Sequence, residues 1–323
     1  MNEYELYLQK IAELERLGLS PKVYGKTLLG QPLYYYKLSK RVDFRQKPLK
    51  ILVQAGIHAR EFVTTFLVFR LIEHYNVQIY RELSKLHATK RHPYLQLNYE
   101  LYFVPNANVD GFRICTEGLS FLSEKPQGAN GAGRQHCGVR RKQLADTLLK
   151  LNLGNKDFSL WKANARGVDL NVNFDARFGT GSKNTRQFGA ENCTGDAPLS
   201  EPETRALVEL TSKIKPDLTI SYHSKGQEVY YQFYQDAQRL ERDKAIAQVI
   251  ARTTKYTISD VSGASAGGYK DYCIEKLKIP ALTIEVGNDA LSHPLKLSNL
   301  KQIYRENKNV IHNILKYYST AHK

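Results

Sequence analysis

KILVQAGIHAREF, Lys50 to Phe62, holds an apolar run long enough for one buried strand, then a glycine, then two polar groups three residues apart, His58 and Glu61. The next residues, REFVTTFLVFRLIEHY, repeat apolar side chains at helical spacing, so the segment reads as strand, turn and helix with His58 at the turn. The same grammar recurs downstream. LNYELYFVPNANVDGF (Leu97 to Phe112) is a strand running into an Asn/Asp/Gly loop, and a polar, Gly-bearing stretch from about Gly118 to Gly138 reads as loop. PLSEPETRALVELTSKIK is a helix opening on Ser200 and Glu203 as a capping box, with Pro202 in the first turn, and it feeds the strand DLTISYHS. AQRLERDKAIAQVIARTTK and GGYKDYCIEKLK are further helices, PALTIEVG (Pro280 to Gly287) is an apolar strand, and a last helix runs from about Leu297 to Tyr318. Upstream, VYGKTLLGQPLYYYKLS has the pattern of a hairpin at a sheet edge. This alternation predicts an α/β fold: a single mostly parallel mixed sheet covered by helices on both faces, one domain over residues 1–323, with an N-terminal helix at about residues 2–18.

Composition narrows the class. Apolar residues make up 42% of the chain, enough to bury a core rather than leave it disordered. The net charge of +15, with basic clusters at Lys85 to Arg91 and Arg140 to Lys142, suits an anionic partner or a solvated surface. No zinc-finger spacing, aromatic RNP-like run or basic zipper accompanies it, so nucleic acid is not the expected partner. Cys115, Cys137, Cys193 and Cys273 stand too far apart for a disulfide framework or a cysteine metal site and read as reduced thiols. The first residues lack the apolar core of a secretory signal, and no apolar run approaches the roughly 18 residues of a membrane span. A soluble, cytoplasmic protein is the expectation.

Ligands of open α/β sheets bind beyond the carboxyl ends of the strands. Three segments place polar groups there: His58 and Glu61 after one strand, His223 of SYHS at the end of another, and Glu285 of TIEVG at the end of a third. Catalytic zinc takes three protein ligands from His and carboxylate and keeps a fourth position open, which His58, Glu61 and His223 can supply for one zinc ion. A nearby carboxylate outside that set can move the proton of the attacking water, and Glu285 fits. Lying among Leu282, Thr283, Ile284 and Val286, Glu285 would be costly to bury without a function.

AGIHAREF, WKANARGVDLNVNFDARFG, TISYHS and GGYKDYCIEKLKIPALTIEVG together resemble the zinc carboxypeptidases related to the pancreatic digestive enzymes, over roughly Tyr24 to Tyr318. Within that family they are most similar to the bacterial γ-D-glutamyl-meso-diaminopimelate peptidases, which cut cell-wall peptides. The resemblance implies a metallopeptidase with His58, Glu61 and His223 on zinc and Glu285 as catalytic glutamate. It implies that Arg60 contacts substrate and that Lys162 stands where the digestive enzymes carry an arginine that polarises the scissile carbonyl. Lysine brings charge there but not a bidentate fork. Where those enzymes clamp the terminal carboxylate with Asn followed by Arg, this chain has Asn171 followed by Val172. The position of the family's mobile tyrosine falls on Gly263, and the base of the specificity pocket on Lys270. Lys270 with Arg177 would then replace the lost clamp and favour an anionic diaminopimelate-containing peptide; read plainly, Lys270 is a surface residue before a helix.

Other readings compete. GASAG (Gly263 to Gly267) matches a serine-hydrolase elbow, with Ser265, Asp289 and His293 in triad order, although the flanking TISDVSGASAGG is too polar for the strand that an elbow needs. A general carboxypeptidase, a zinc amide deacylase, or a non-catalytic module that holds anionic wall peptide on its basic surface are the remaining alternatives.

Overall fold

The computed structural model describes residues 1–85, 93–123, 134–260 and 266–321. Helix α1 (Glu3–Arg16) precedes the edge hairpin of β1 (Lys22–Lys26) and β2 (Pro32–Lys40). Strand β3 (Leu49–Ala55) leads through a 3-10 turn, Ala59–Glu61, into α2 (Val63–Lys85). After α3 (Pro93–Gln96) come β4 (Tyr99–Val104), α4 (Val109–Glu117), α5 (Arg134–Leu151), α6 (Pro202–Ile214) and β5 (Leu218–Ser224). The chain ends with β6 (Glu228–Tyr230), α7 (Ala237–Thr254), β7 (Thr257–Ser259), α8 (Tyr269–Tyr272), β8 (Ala281–Val286), α9 (Leu300–Asn307) and α10 (Val310–Ala321).

The strands form one eight-stranded mixed sheet in the order β1-β2-β4-β3-β5-β8-β6-β7. Its centre, β4, β3, β5 and β8, is parallel, while β2 and β6 flank it antiparallel. From β3 the chain crosses to β4 on one side and later returns to β5 on the other. β3 and β5 therefore flank a topological switch point, the place where such sheets bind ligands.

Strand periodicity decides which side chains face that crevice. Ile51, Val53 and Ala55 pack into one apolar cluster with Phe66, Leu67 and Ile311, whereas Leu52 joins a second cluster with Leu207 and Tyr269 on the opposite face. Tyr222, Ile284 and Val286 belong to the first cluster, so His223 and Glu285 point to the second face, at the strand ends. Each fully buried Leu, Ile or Val side chain contributes roughly 1.5–3 kcal/mol.

Several elements depart from the local reading. The expected capping box of α6 is absent: Ser200 Oγ donates to Glu201 Oε1 at 2.7 Å, and Glu203 Oε1 accepts the Leu28 N–H at 3.0 Å. Both side chains are drawn into longer-range bonds. The Asn/Asp/Gly loop after β4 closes at once into α4, because Asn108 caps it by accepting the Gly111 N–H at 3.0 Å. Of the stretch read as loop from Gly118 to Gly138, Ser120–Ser123 forms a 3-10 turn and the part from Arg134 belongs to α5; residues 124–133 lie outside the described residues. The single last helix is two. Tyr75 Oη donates to the Lys308 carbonyl at 2.7 Å and accepts the His312 N–H at 3.0 Å, so a side chain is inserted where the helical bond between those two residues would form. Cys115, Cys193 and Cys273 are buried free thiols, and the Cys137 side chain lies outside the described residues. None of the described helices is long and apolar enough to cross a membrane.

Beneath the β1-β2 turn lie two buried carboxylates, Asp110 and Glu203, which bind the Leu29 and Leu28 N–H groups at 2.8 and 3.0 Å. Burial pushes Asp110 up to about 6, and burial with the Asp110 charge pushes Glu203 up to about 7. Both folded values exceed the unfolded ones, so the folded protein binds more protons between about pH 4 and 7 and loses stability as pH rises through that window. For Glu203 the loss amounts to about 3 kcal/mol. Urea denaturation of chelator-treated protein should therefore show a higher midpoint at pH 5 than at pH 8, and Glu203→Gln should flatten the difference. A wild-type midpoint that rises with pH over this range would contradict it.

Candidate metal centre

At the end of β3, Gly56 adopts φ +65° and a Cβ there would lie 2.7 Å from Thr65 Oγ1, so glycine is needed for the chain to turn. The 3-10 turn follows, in which residues three apart eclipse; His58 and Glu61 thus project together. His223 arrives from β5, next to β3 in the sheet. His58 Nδ1 lies 2.9 Å from Glu61 Oε1 and 3.1 Å from His223 Nδ1, and His223 Nδ1 lies 3.1 Å from Glu61 Oε2. All three residues are buried, and one ligand atom from each can be chosen so that all lie within 4.8 Å of one another.

This cluster suits a zinc ion. Ligands at ~2.0–2.1 Å in a tetrahedron are themselves roughly 3.3 Å apart, close to the separations seen. Two imidazole nitrogens and a carboxylate oxygen come together, and the buried Nε2 of His223 has no hydrogen-bond partner among the described residues. Burial alone would protonate Glu61, but His58 and His223 outweigh it and hold the carboxyl well below its ordinary range, in the ionised form that a cation needs.

Around the cluster lie further buried charges. Asp169, fully buried, sets Oδ1 3.3 Å from His58 Nε2 and Oδ2 2.8 Å from Lys162 Nζ. Burial disfavours its charge, yet Lys162 and His58 keep Asp169 well below the ordinary carboxylate range. In return Lys162 is held above its usual value against burial, chiefly by Asp169. His58 is likewise raised despite burial, by Glu61 and Asp169. The sequence around Asp169 and Glu228 carries little sign of these roles; for Asp169 the signal is its place in GVDLN, just before Asn171.

Glu285 is the register partner of His223 on one side and of Glu228 on the other, so the three side chains form a row across the strand ends. Half-buried Glu285 is pushed up to about 8, first by burial, with His223 opposing and Glu61 reinforcing. Tyr230 Oη donates to Glu228.

The substrate candidates gather more loosely. Arg60 pairs with Glu191 at 3.1 Å and donates to the Leu160 carbonyl at 3.2 Å. Asn171 Oδ1 accepts the Tyr269 N–H at 3.2 Å, which ties it to the residue before Lys270. Lys270 is not a plain surface residue: it is largely covered, 2.6 Å from Asp271 Oδ1 and 3.0 Å from the Gln232 carbonyl. Exposed Arg177 packs 3.6 Å from the Tyr234 ring centre and lies 3.4 Å from Glu275. Both cations therefore meet the segment 232–234, each with a carboxylate of its own. Gly263 and Ser265 lie outside the described residues, and Asp289 of the alternative triad pairs with Lys225 at 2.7 Å.

Comparison with known proteins agrees with the geometry. The family described as zinc carboxypeptidase matches residues 4–310. Over 312 residues the chain is 26% identical to gamma-D-glutamyl-L-diamino acid endopeptidase 1 of Lysinibacillus sphaericus, covering 94% of this chain and 69% of that protein. A shorter match, 42% identical over 69 residues, covers 19% of this chain and 28% of murein peptide amidase A of Escherichia coli strain K12. In fold, the chain is similar to bovine thrombin-activatable fibrinolysis inhibitor, solved in complex with tick carboxypeptidase inhibitor: TM-score 0.69, 18% identity, 100% of this chain and 98% of that one. With a family match that spans nearly its whole length, the chain belongs to the zinc carboxypeptidases and is a metallopeptidase hydrolase.

Proposed function

We propose that this protein hydrolyses the amide bond between γ-D-glutamate and a diamino acid in cell-wall peptides, with zinc on His58, Glu61 and His223 and with Glu285 as general base. The observation that carries the catalytic part is the register of Glu285 with His223, which sets a carboxylate beside the candidate ligands without making it one of them. Ligands from residues 58 to 223 and a base at 285 make residues 1–323 one catalytic unit on this reading.

Held by that trio, zinc would supply a Lewis acid for the scissile carbonyl and would acidify water. Glu285 takes a proton from the attacking water, whose oxygen adds to the carbonyl carbon. The C–N bond then breaks, and Glu285 returns the proton to the leaving amine. Lys162 keeps ammonium donors beyond the one on Asp169 and steadies the negative charge that grows on the carbonyl oxygen. On this reading Arg60 and Asn171 contact the substrate.

For the substrate, the name of the Lysinibacillus relative and the two cations at segment 232–234 support a peptide ending in a diamino acid with an extra carboxylate. A substrate carboxylate must share Lys270 with Asp271. Lys270→Ala should raise the Michaelis constant for a diaminopimelate peptide about tenfold more than for its lysine counterpart, by loss of one charge-assisted bond. Equal effects on both would remove Lys270 from substrate recognition.

The decisive assay incubates purified protein with L-Ala-γ-D-Glu-meso-diaminopimelate and with ordinary peptides, each with and without a zinc chelator, and identifies products by mass spectrometry. Chelator-sensitive release of diaminopimelate supports the proposal. Release only of ordinary C-terminal residues would replace it with a general carboxypeptidase, and no cleavage would favour the deacylase or binding-module reading.

A further inference from the structure

At the end of the sheet opposite the candidate metal ligands, the second half of α2 meets α3, α9 and α10 around a cleft of about 690 Å³. Its floor includes Glu82, which bonds Tyr99 at the start of β4, whereas His58, His223 and Glu285 lie at strand carboxyl ends. Along α2, Glu82 is roughly 30 Å from Glu61 at ~1.5 Å per residue. Substrate bound at the metal centre does not reach this cleft.

The cleft has two chemistries. Val77, Leu95, Tyr94 and Tyr304 give it apolar walls, and Arg70, Arg81, Lys85 and Lys316 stand around them. Of the two carboxylates among its lining residues, Glu82 is answered from outside by the wholly buried Lys40 at 3.0 Å, whereas Glu73 meets Lys10 at 3.4 Å from outside and Arg70 at 4.0 Å from within. Among the described residues, Arg81 and Lys316 have no carboxylate partner. Arg70 lies over the Tyr304 ring at 5.1 Å, a flat cation on an aromatic wall. The two histidines of the cleft, His74 and His312, are both held below their usual value by burial and then by Lys308 and Lys316 respectively, as expected where positive charge is in excess. His74 Nε2 is buried with no hydrogen-bond partner among the described residues.

We propose that this cleft is a second ligand site, for a small organic anion with an apolar or aromatic body and one acidic head group. The walls take the body, and Arg81 and Lys316 take the head. The volume falls in the range of sites for small molecules, ~300–1,000 Å³. The site is independent of the peptidase reading, since none of its residues belongs to the metal centre.

A matched pair of fluorescent probes tests it on the full chain: 8-anilinonaphthalene-1-sulfonate, and N-phenyl-1-naphthylamine, which has the same rings and no charge. The sulfonate should saturate one site and bind at least about tenfold more tightly than the neutral amine. The double variant Arg81→Glu/Lys316→Glu should weaken the sulfonate about tenfold and leave the amine unchanged. Val77→Trp, which fills the cleft from an exposed helical position, should abolish saturable binding of both probes at unaltered melting temperature and peptidase turnover. Equal affinity for the two probes would overturn the anion site, as would sulfonate binding that survives both the charge reversal and the filling.

Discussion

Glu285→Gln should reduce turnover roughly a thousandfold while leaving the zinc content near one per chain. The amide keeps the shape of the side chain but cannot take a proton, and Glu285 stands outside the trio whose atoms converge. Turnover number measured beside zinc by atomic absorption separates the two effects. Undiminished turnover would refute the base assignment, and loss of metal would place Glu285 among the ligands. The acid limb of the rate profile bears on the same residue. Burial pushes its carboxyl up to about 8, and a cation held by the neighbouring trio would pull it back down. A metal held there would therefore favour the ionised base at neutral pH.

Glu61→Ala should weaken zinc binding by more than about 100-fold, beyond the 10–100-fold typical of residues that merely support ligands. Its carboxylate brings both oxygens to the cluster, 2.9 Å from His58 Nδ1 and 3.1 Å from His223 Nδ1, and Oε2 also takes the Ser224 N–H at 3.1 Å. Without it two buried imidazoles face each other with no negative charge between them. Competition against a chromophoric chelator gives the affinity directly; a constant unchanged within a few fold would mean that the metal sits elsewhere.

The parts of this molecule that could be read from residues alone are those where local pattern and tertiary demand coincide. An apolar strand that ends in a polar pair, as at His58 and Glu61, or a carboxylate between Ile284 and Val286, announces a strand end with a purpose. The parts that could not be read are those where a distant group takes over. Ser200 and Glu203 carry the letters of a cap, but Glu201 and the Leu28 N–H engage them instead. Nothing in the last helix marks the break that the Tyr75 hydroxyl makes. Strands β6 and β7, three residues each, are too short to show periodicity, so Glu228 stayed hidden although it borders Glu285. Asp169 belongs to the same class: a single aspartate in a turn reads as ordinary punctuation until the fold sets it between His58 and Lys162.

That shared carboxylate has a consequence for how the site can change over time. One oxygen of Asp169 faces the histidine expected to hold metal and the other faces the lysine expected to meet the substrate carbonyl. Trading Lys162 for a neutral residue would leave a fully buried anion with His58 as its one remaining cationic partner beside the N–H groups of Asn171 and Asn192, drawing the imidazole toward its protonated form, which cannot ligate. Affinity for the ion and grip on the carbonyl are thus yoked, and a lineage could not relax one without eroding the other unless Asp169 changed in the same step.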